Sequence, residues 1–147
     1  MSLTGFWQNQ LKSVMFLEED KDGTLSGIYR SIVGRDPHPR PLAGRSSEDE
    51  KGKQLLGFAV RFHIDNPGGP TNGHFSLCTW SGWERNDKIT THWLLTLSKL
   101  DANDEWSSTL IGEDAFKRIV ANEATRELVE GEIERLKGFM KKHHEAH

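Results

Sequence analysis

The chain has 147 residues, 19 of them basic and 22 acidic for a net charge of −3, and a single cysteine. That length suits one domain with a full core, the mild acidity argues against a nucleic-acid surface, and one Cys excludes an intramolecular disulfide framework. No apolar run approaches membrane-spanning length and no basic-plus-hydrophobic leader precedes the first strand-like residues, so a soluble protein is expected, with no membrane association. Its compartment stays open between cytoplasmic and secreted after removal of a leader.

Hydropathy alternates with a period of two over most of the chain, and turn residues divide it into about eight short strands. Thr4–Gln10 and Val14–Glu19 come first, and Asp20-Lys21-Asp22-Gly23 then makes an Asp-Gly hairpin turn into Thr24–Ile32. The two aspartates also suit the start of a calcium loop, but Tyr29 stands where its closing Glu belongs, which favours the turn. Gly34–Pro41 carries three prolines and reads as a loop before a short strand at Leu42–Arg45. Ser46–Lys53 is a second polar loop, Leu55–His63 the fifth strand, and Asp65–Asn72 a Pro/Gly loop. Segments around Trp80, Trp93 and Trp106 supply the last three strands, with turns near Glu84–Asp87 and Asp101–Asp104. The expected fold is all-β, an eight-stranded antiparallel up-and-down β-barrel; an open sandwich is the alternative.

From Asn122 to Lys142 the period becomes helical. Val129, Ile133, Leu136 and Met140 fall on one stripe, which Leu128 and Phe139 widen. Asn122 suits the cap, Glu123 the first turn, and Lys141 and Lys142 the last. This C-terminal α-helix packs either on its own barrel or on a neighbouring subunit. His143, His144 and His147 behind it read as a solvated tail rather than a metal site.

Trp80, Trp93 and Trp106 recur thirteen residues apart, each beside small hydroxyl residues: Ser76, Thr79 and Ser81; Thr90, Thr91 and Thr96; Ser107, Ser108 and Thr109. Large apolar rings alternating with compact donors and acceptors are the chemistry of a pocket for a small polar heterocycle. Trp7 and Trp83 read instead as core. No Ser/His/Asp arrangement has a local signature and Cys78 lacks an evident activating base, so no catalytic or metal site and no cofactor is expected.

Five strings, in order and at matching spacing, resemble the avidin and streptavidin family. They are Leu3-Thr4-Gly5-Phe6-Trp7-Gln8-Asn9-Gln10-Leu11, Asp22 to Gly34 (DGTLSGIYRSIVG), Thr79-Trp80-Ser81-Gly82, Trp93-Leu94-Leu95-Thr96, and Trp106 to Phe116 (WSSTLIGEDAF). The resemblance runs from about Leu3 to Val120. Residues 3–120 are therefore expected to form an avidin-like barrel domain, and 121–147 an added amphipathic helix with a polar tail.

The resemblance implies non-catalytic binding of biotin, with a polar floor and Trp walls. Asn9, Ser13 and Tyr29 fall where the family holds the ureido oxygen, and Asp114 and Ser31 where it meets the ureido N–H groups. Three short donors on one carbonyl oxygen would favour its polarised form, as an oxyanion hole does, although no bond is made or broken. Trp80 and Trp93 would flank the bicyclic ring, with Leu95 adding apolar wall and Val33 alternating inward with Tyr29 and Ser31, while Trp106 would close the pocket of a neighbouring subunit. Ser76 and the backbone N–H groups of the loop formed by Gly34, Arg35 and Asp36 would face the valerate carboxylate. The lid role implies a homo-oligomer, a tetramer ahead of a dimer.

At four positions the chain departs from the family pattern: Cys78 replaces a Thr, Phe62 a Trp, Arg35 an Asn, and Lys12 a Gly. Biotin affinity below the family's extreme is therefore the expectation. Two rival functions are a lipocalin-like carrier of another small ligand, for which Asn9, Ser13, Tyr29 and Asp114 would be dispensable, and an assembly module with a weakened pocket.

Overall fold

A computed structural model describes residues 2–32, 36, 38–64, 74–98 and 109–120. The expected C-terminal helix, the turn at 101–104 and Trp106 lie outside these residues. Eight strands follow in chain order: β1 (Gly5–Asn9), β2 (Val14–Glu19), β3 (Thr24–Arg30), β4 (Arg40–Glu48), β5 (Gln54–Ile64), β6 (His74–Arg85), β7 (Lys88–Leu97) and β8 (Thr109–Ile119). Each pairs antiparallel with the next, and β8 returns to β1, so the sheet closes into a barrel without free edges.

Alternation along each strand sends one set of side chains inward. One end of the interior is filled by Leu3, Trp7, Leu17, Leu25, Leu56, Ile89 and Phe116, all buried. Trp7 is core, as expected, and its indole N–H donates to the Leu3 carbonyl at 2.9 Å. Arg118 seals this end: its guanidinium stacks 4.3 Å over the Trp7 ring and donates to the carbonyls of Thr4 and Ser2 and to Asp87. Beside it, the Glu19 carboxylate accepts hydrogen bonds from the Leu3 N–H, the Ser46 hydroxyl and the Gln54 amide, tying the N-terminal segment to β2, β4 and β5.

Turn chemistry closes the hairpins. The Asp20–Gly23 turn forms, with Gly23 at φ 89° and Asp22 Oδ1 accepting the Thr24 N–H. Asn86 and Asp87 between β6 and β7 both have positive φ, the two-residue turn whose twist suits paired strands. Two expectations need correction. Strand β4 is longer than Leu42–Arg45: Pro41 is accommodated at its start, paired with Ile28 of β3 and ahead of the first β5 partner, Leu42, a position where a sheet tolerates proline. Its polar end, Ser46–Glu48, stays in the sheet because Ser46 faces inward onto Glu19, and the turn reduces to Asp49–Lys53 with Gly52 at φ 79°. Trp83 is not core. It alternates with inward-facing Gly82 and Glu84, lies on the outer surface, and carries Lys53 Nζ 4.8 Å from its ring centroid.

Candidate functional site

The opposite end of the barrel holds a cavity of about 220 Å³. Asn9 and Ser13 reach it from the two ends of the β1–β2 turn, Tyr29 and Ser31 from the end of β3, and Phe62 from β5. Ser76, Cys78 and Trp80 enter from β6 at every second position, Trp93 and Leu95 do so from β7, and Asp114 comes from β8. Those eleven expected positions share one cavity, whereas Val33, Gly34, Arg35 and Trp106 lie outside the described residues.

The polar floor is built by hydrogen bonds that leave specific atoms facing inward. Asn9 Oδ1 accepts the backbone N–H groups of Leu11 (3.0 Å) and Ser13 (2.9 Å), so the end of this amide that can serve a ligand is its NH2 donor. Ser13 Oγ accepts the Ile32 N–H at 3.1 Å, which fixes the hydroxyl. Tyr29 is buried, and that burial, reinforced by the negative charge of Asp114, raises its phenol far above the usual range while a hydrogen bond with Ser13 pulls the other way. The phenol therefore keeps its proton and remains a donor.

Asp114 sits opposite these donors. Its Oδ2 accepts the Trp80 indole N–H at 2.9 Å, and its Oδ1 accepts the Gln10 amide at 2.9 Å. Gln10 is itself pinned across the β1–β8 seam, donating to the Glu113 carbonyl and accepting the Ala115 N–H. Thr91 Oγ1 donates to the Asp114 carbonyl at 3.0 Å. An ionised carboxylate oxygen has lone pairs for a further donor after each of these bonds, so Asp114 can still receive a ligand N–H.

The walls are aromatic. Trp80 stacks on Phe58, centroids 4.9 Å apart with planes 17° apart, and lies 4.9 Å from Tyr29. Phe62 meets Tyr29 edge-on at 5.9 Å, giving this part of the wall an aromatic surface. Trp80 and Trp93 are direct cross-strand partners, and Trp93 lies against Gly112 so closely that a β-carbon there would stand 2.1 Å from its Cζ2. Burial, then the Asp114 charge, push the Cys78 thiol up to about 12, so it lines the wall as a neutral, soft surface.

Sequence reasoning missed four participants. Leu11 and Asp36 line the cavity, and Gln10 and Thr91 support Asp114. The resemblance assigns Asp36 only a backbone N–H, yet its buried carboxylate pins the mouth: it pairs with Arg40 at 2.7 and 3.1 Å and accepts the N–H groups of His63 and His38. Burial pushes this carboxyl up, but the Arg40 and backbone hydrogen bonds outweigh it and hold it below the usual range. No local signal marks Gln10 or Thr91, whose partners are 104 and 23 residues away. Asp36, set between Arg35 and a proline and four residues before an Arg, offered a weak one.

A profile described as the Avidin family matches residues 1–119. Avidin of Gallus gallus is 30% identical over 125 residues, covering 80% of this chain and 78% of its own. Avidin-related protein 4/5 of the same organism is 28% identical over 124 residues (80% and 78%), and avidin-related protein 2 is 28% identical over 121 (80% and 77%).

Proposed function

This chain belongs to the avidin family, and from that premise and the geometry of its cavity we propose that it binds biotin inside the barrel without chemical turnover. The observation that carries the reading is the opposition of donors and acceptor across one small cavity. The Asn9 NH2 and the Ser13 and Tyr29 hydroxyls suit a urea oxygen, and Asp114, held by Trp80 and Gln10, suits a urea N–H. Ser31 takes the second ureido N–H, and Trp80 and Trp93 enclose the bicyclic ring. The valerate chain runs past Leu95, Phe62 and Cys78 toward Ser76 and the mouth loop, where Arg35 would meet its carboxylate.

Pre-paired polar groups favour tight binding, because little reorganisation accompanies ligand entry. A pocket built to hydrogen-bond a urea also rejects ligands that lack it, since each unmatched buried group then costs about 1–3 kcal/mol. That property argues against a general lipocalin-like carrier. Calorimetric titration with biotin, alongside Trp fluorescence, tests the reading. The expected result is one site per chain; the absence of heat and of any fluorescence change at micromolar protein would overturn it.

We further propose that the protein acts as a homo-oligomer, tetrameric rather than dimeric, with Trp106 lying over a neighbour's pocket. Supporting this is an apolar row on the outside of β5–β8, where Ala59, Thr79, Leu94 and Ile111 are successive cross-strand partners. Leu94 is 49% and Ile111 76% exposed, with Leu77 nearby at 50%. A contiguous apolar patch of this kind marks an interaction surface.

A further inference from the structure

A second apolar row crosses the outside of the barrel on its other side. Ile119 of β8, Phe6 of β1, Phe16 of β2, Ile28 of β3 and Pro41 of β4 are successive cross-strand partners. Phe6, Phe16, Ile28 and Pro41 face outward, because their chain neighbours Trp7, Met15, Leu17, Tyr29 and Leu42 belong to the interior core, and Ile119 does so because its neighbour Arg118 turns inward over Trp7. Phe6 and Phe16 pack ring against ring at 4.9 Å. Ile28 is only 2% exposed although it is no member of the interior cluster. One step along the same face, Arg30 has its Nε out of reach of solvent and without a hydrogen-bond partner among the described residues. An outward isoleucine and an outward guanidinium nitrogen shut off from water indicate that something covers this face.

We propose that the C-terminal segment 122–142 folds back onto its own barrel and lays the apolar stripe Val129, Ile133, Leu136 and Met140 across this row. The dimensions agree: Pro41 at the end of the row is exposed, and the four adjacent strands from Ile119 to Ile28 span about 14 Å at ~4.8 Å spacing. A helix carries residues 129 to 140 over about 16 Å at 1.5 Å per residue. The tether agrees as well. The chain leaves β8 at Val120, next to Ile119, itself a member of the row, so the segment reaches this face at high effective concentration before it meets any other molecule. The covered face is distinct from the β5–β8 row, so the segment leaves that surface open.

Disulfide mapping in the full chain tests the placement. Ser26, on the same face of β3 as Ile28, is replaced in S26C and combined in turn with I133C, L136C or M140C. After mild oxidation, at least one pair is expected to give a single-chain species with an intrachain cross-link in peptide mass maps. In parallel, the full-length V129D/L136D variant is expected to raise the fluorescence of an apolar-surface dye several-fold. Absence of any cross-link overturns the proposal, as does a cross-link that joins only different chains, which places the segment on a second copy. Unchanged dye fluorescence in the charged variant overturns it independently.

Discussion

Gly112 shows how a binding wall depends on the absence of one carbon. The Trp93 ring occupies the space a β-carbon would take, and the contact is with the ring itself rather than with a flexible side-chain end. Gly112→Ala should therefore push Trp93 into the cavity while the barrel, whose pairing needs only backbone, persists. Biotin affinity is expected to fall by at least about tenfold, on the order of 1.4 kcal/mol. Calorimetry beside far-UV circular dichroism checks this, and unchanged affinity would show that the ring yields freely. The neutral groups of the floor make a second prediction. The Cys78 thiol goes from an ordinary value of 9.0 to about 12 in the fold, and Tyr29 is raised in the same direction. In the alkaline window the unfolded chain has released these protons and the native one has not. Stability is therefore fully present below about pH 9 and declines as pH rises toward 12, by about 1.4 kcal/mol per pH unit for each fully retained proton. Cys78→Thr removes the thiol's share, so its melting temperature should fall less steeply than the parent's between about pH 8 and 10. Parallel curves would refute the assignment.

Among the elements, the β1–β2 turn carries the clearest local conflict. Lys12 holds φ 72°, a left-handed conformation that costs an L side chain about 1–2 kcal/mol, yet the turn must keep it because Asn9 and Ser13 on either side both face the cavity. Lys12→Gly relieves the strain and gives part of the gain back as unfolded-state entropy, for a net stabilisation of about 1 kcal/mol and a melting temperature about 2–4 °C higher. Differential scanning calorimetry measures it, and a lower melting temperature would mean that Lys12 makes contacts outweighing its backbone. The same turn indicates what a sequence can disclose. Its position was legible, as were the exact bounds of β2 and the hairpin turn at Asp20–Gly23, because these rest on local alternation and turn chemistry. The turn expected near Glu84–Asp87 narrows to Asn86–Asp87, because Glu84 and Arg85 stay in β6. The extent of β4 was not legible, because Ser46 looks like a loop residue until Glu19, 27 positions away, is seen to receive it. In the cavity, Asn9, Ser13, Tyr29 and Asp114 could be named only through family register, since each alone is an ordinary turn or strand residue. Gln10 and Asp36 stayed hidden because their roles arise from barrel closure and from a loop folding back on β4 and β5.

For the molecule as a whole, closure of β8 on β1 brings Asn9 and Asp114 into one cavity from opposite ends of the domain, so the polar floor exists only once the last strand has docked. Closure also leaves no sheet edge among the described strands, so their faces rather than edges are the means of association. The β5–β8 face is suited to this, being apolar at Leu94 and Ile111 and rimmed by the His92–Glu113 pair at 3.1 Å. In a two-fold interface the same patch stands on both subunits, so a charge introduced once is met by its copy. The full-length Leu94→Lys/Ile111→Lys variant therefore places like charges against one another at the centre of the contact, where each pair costs several kcal/mol. Light scattering after size exclusion should give an oligomer for the parent and a smaller assembly or single chain for the variant. Neither residue lines the ligand cavity, so the variant should still release heat on biotin addition, with a faster off-rate if Trp106 of a neighbour had been closing the site. A parent that is monomeric at tens of micromolar, or a variant with unchanged mass, would exclude this face as the contact.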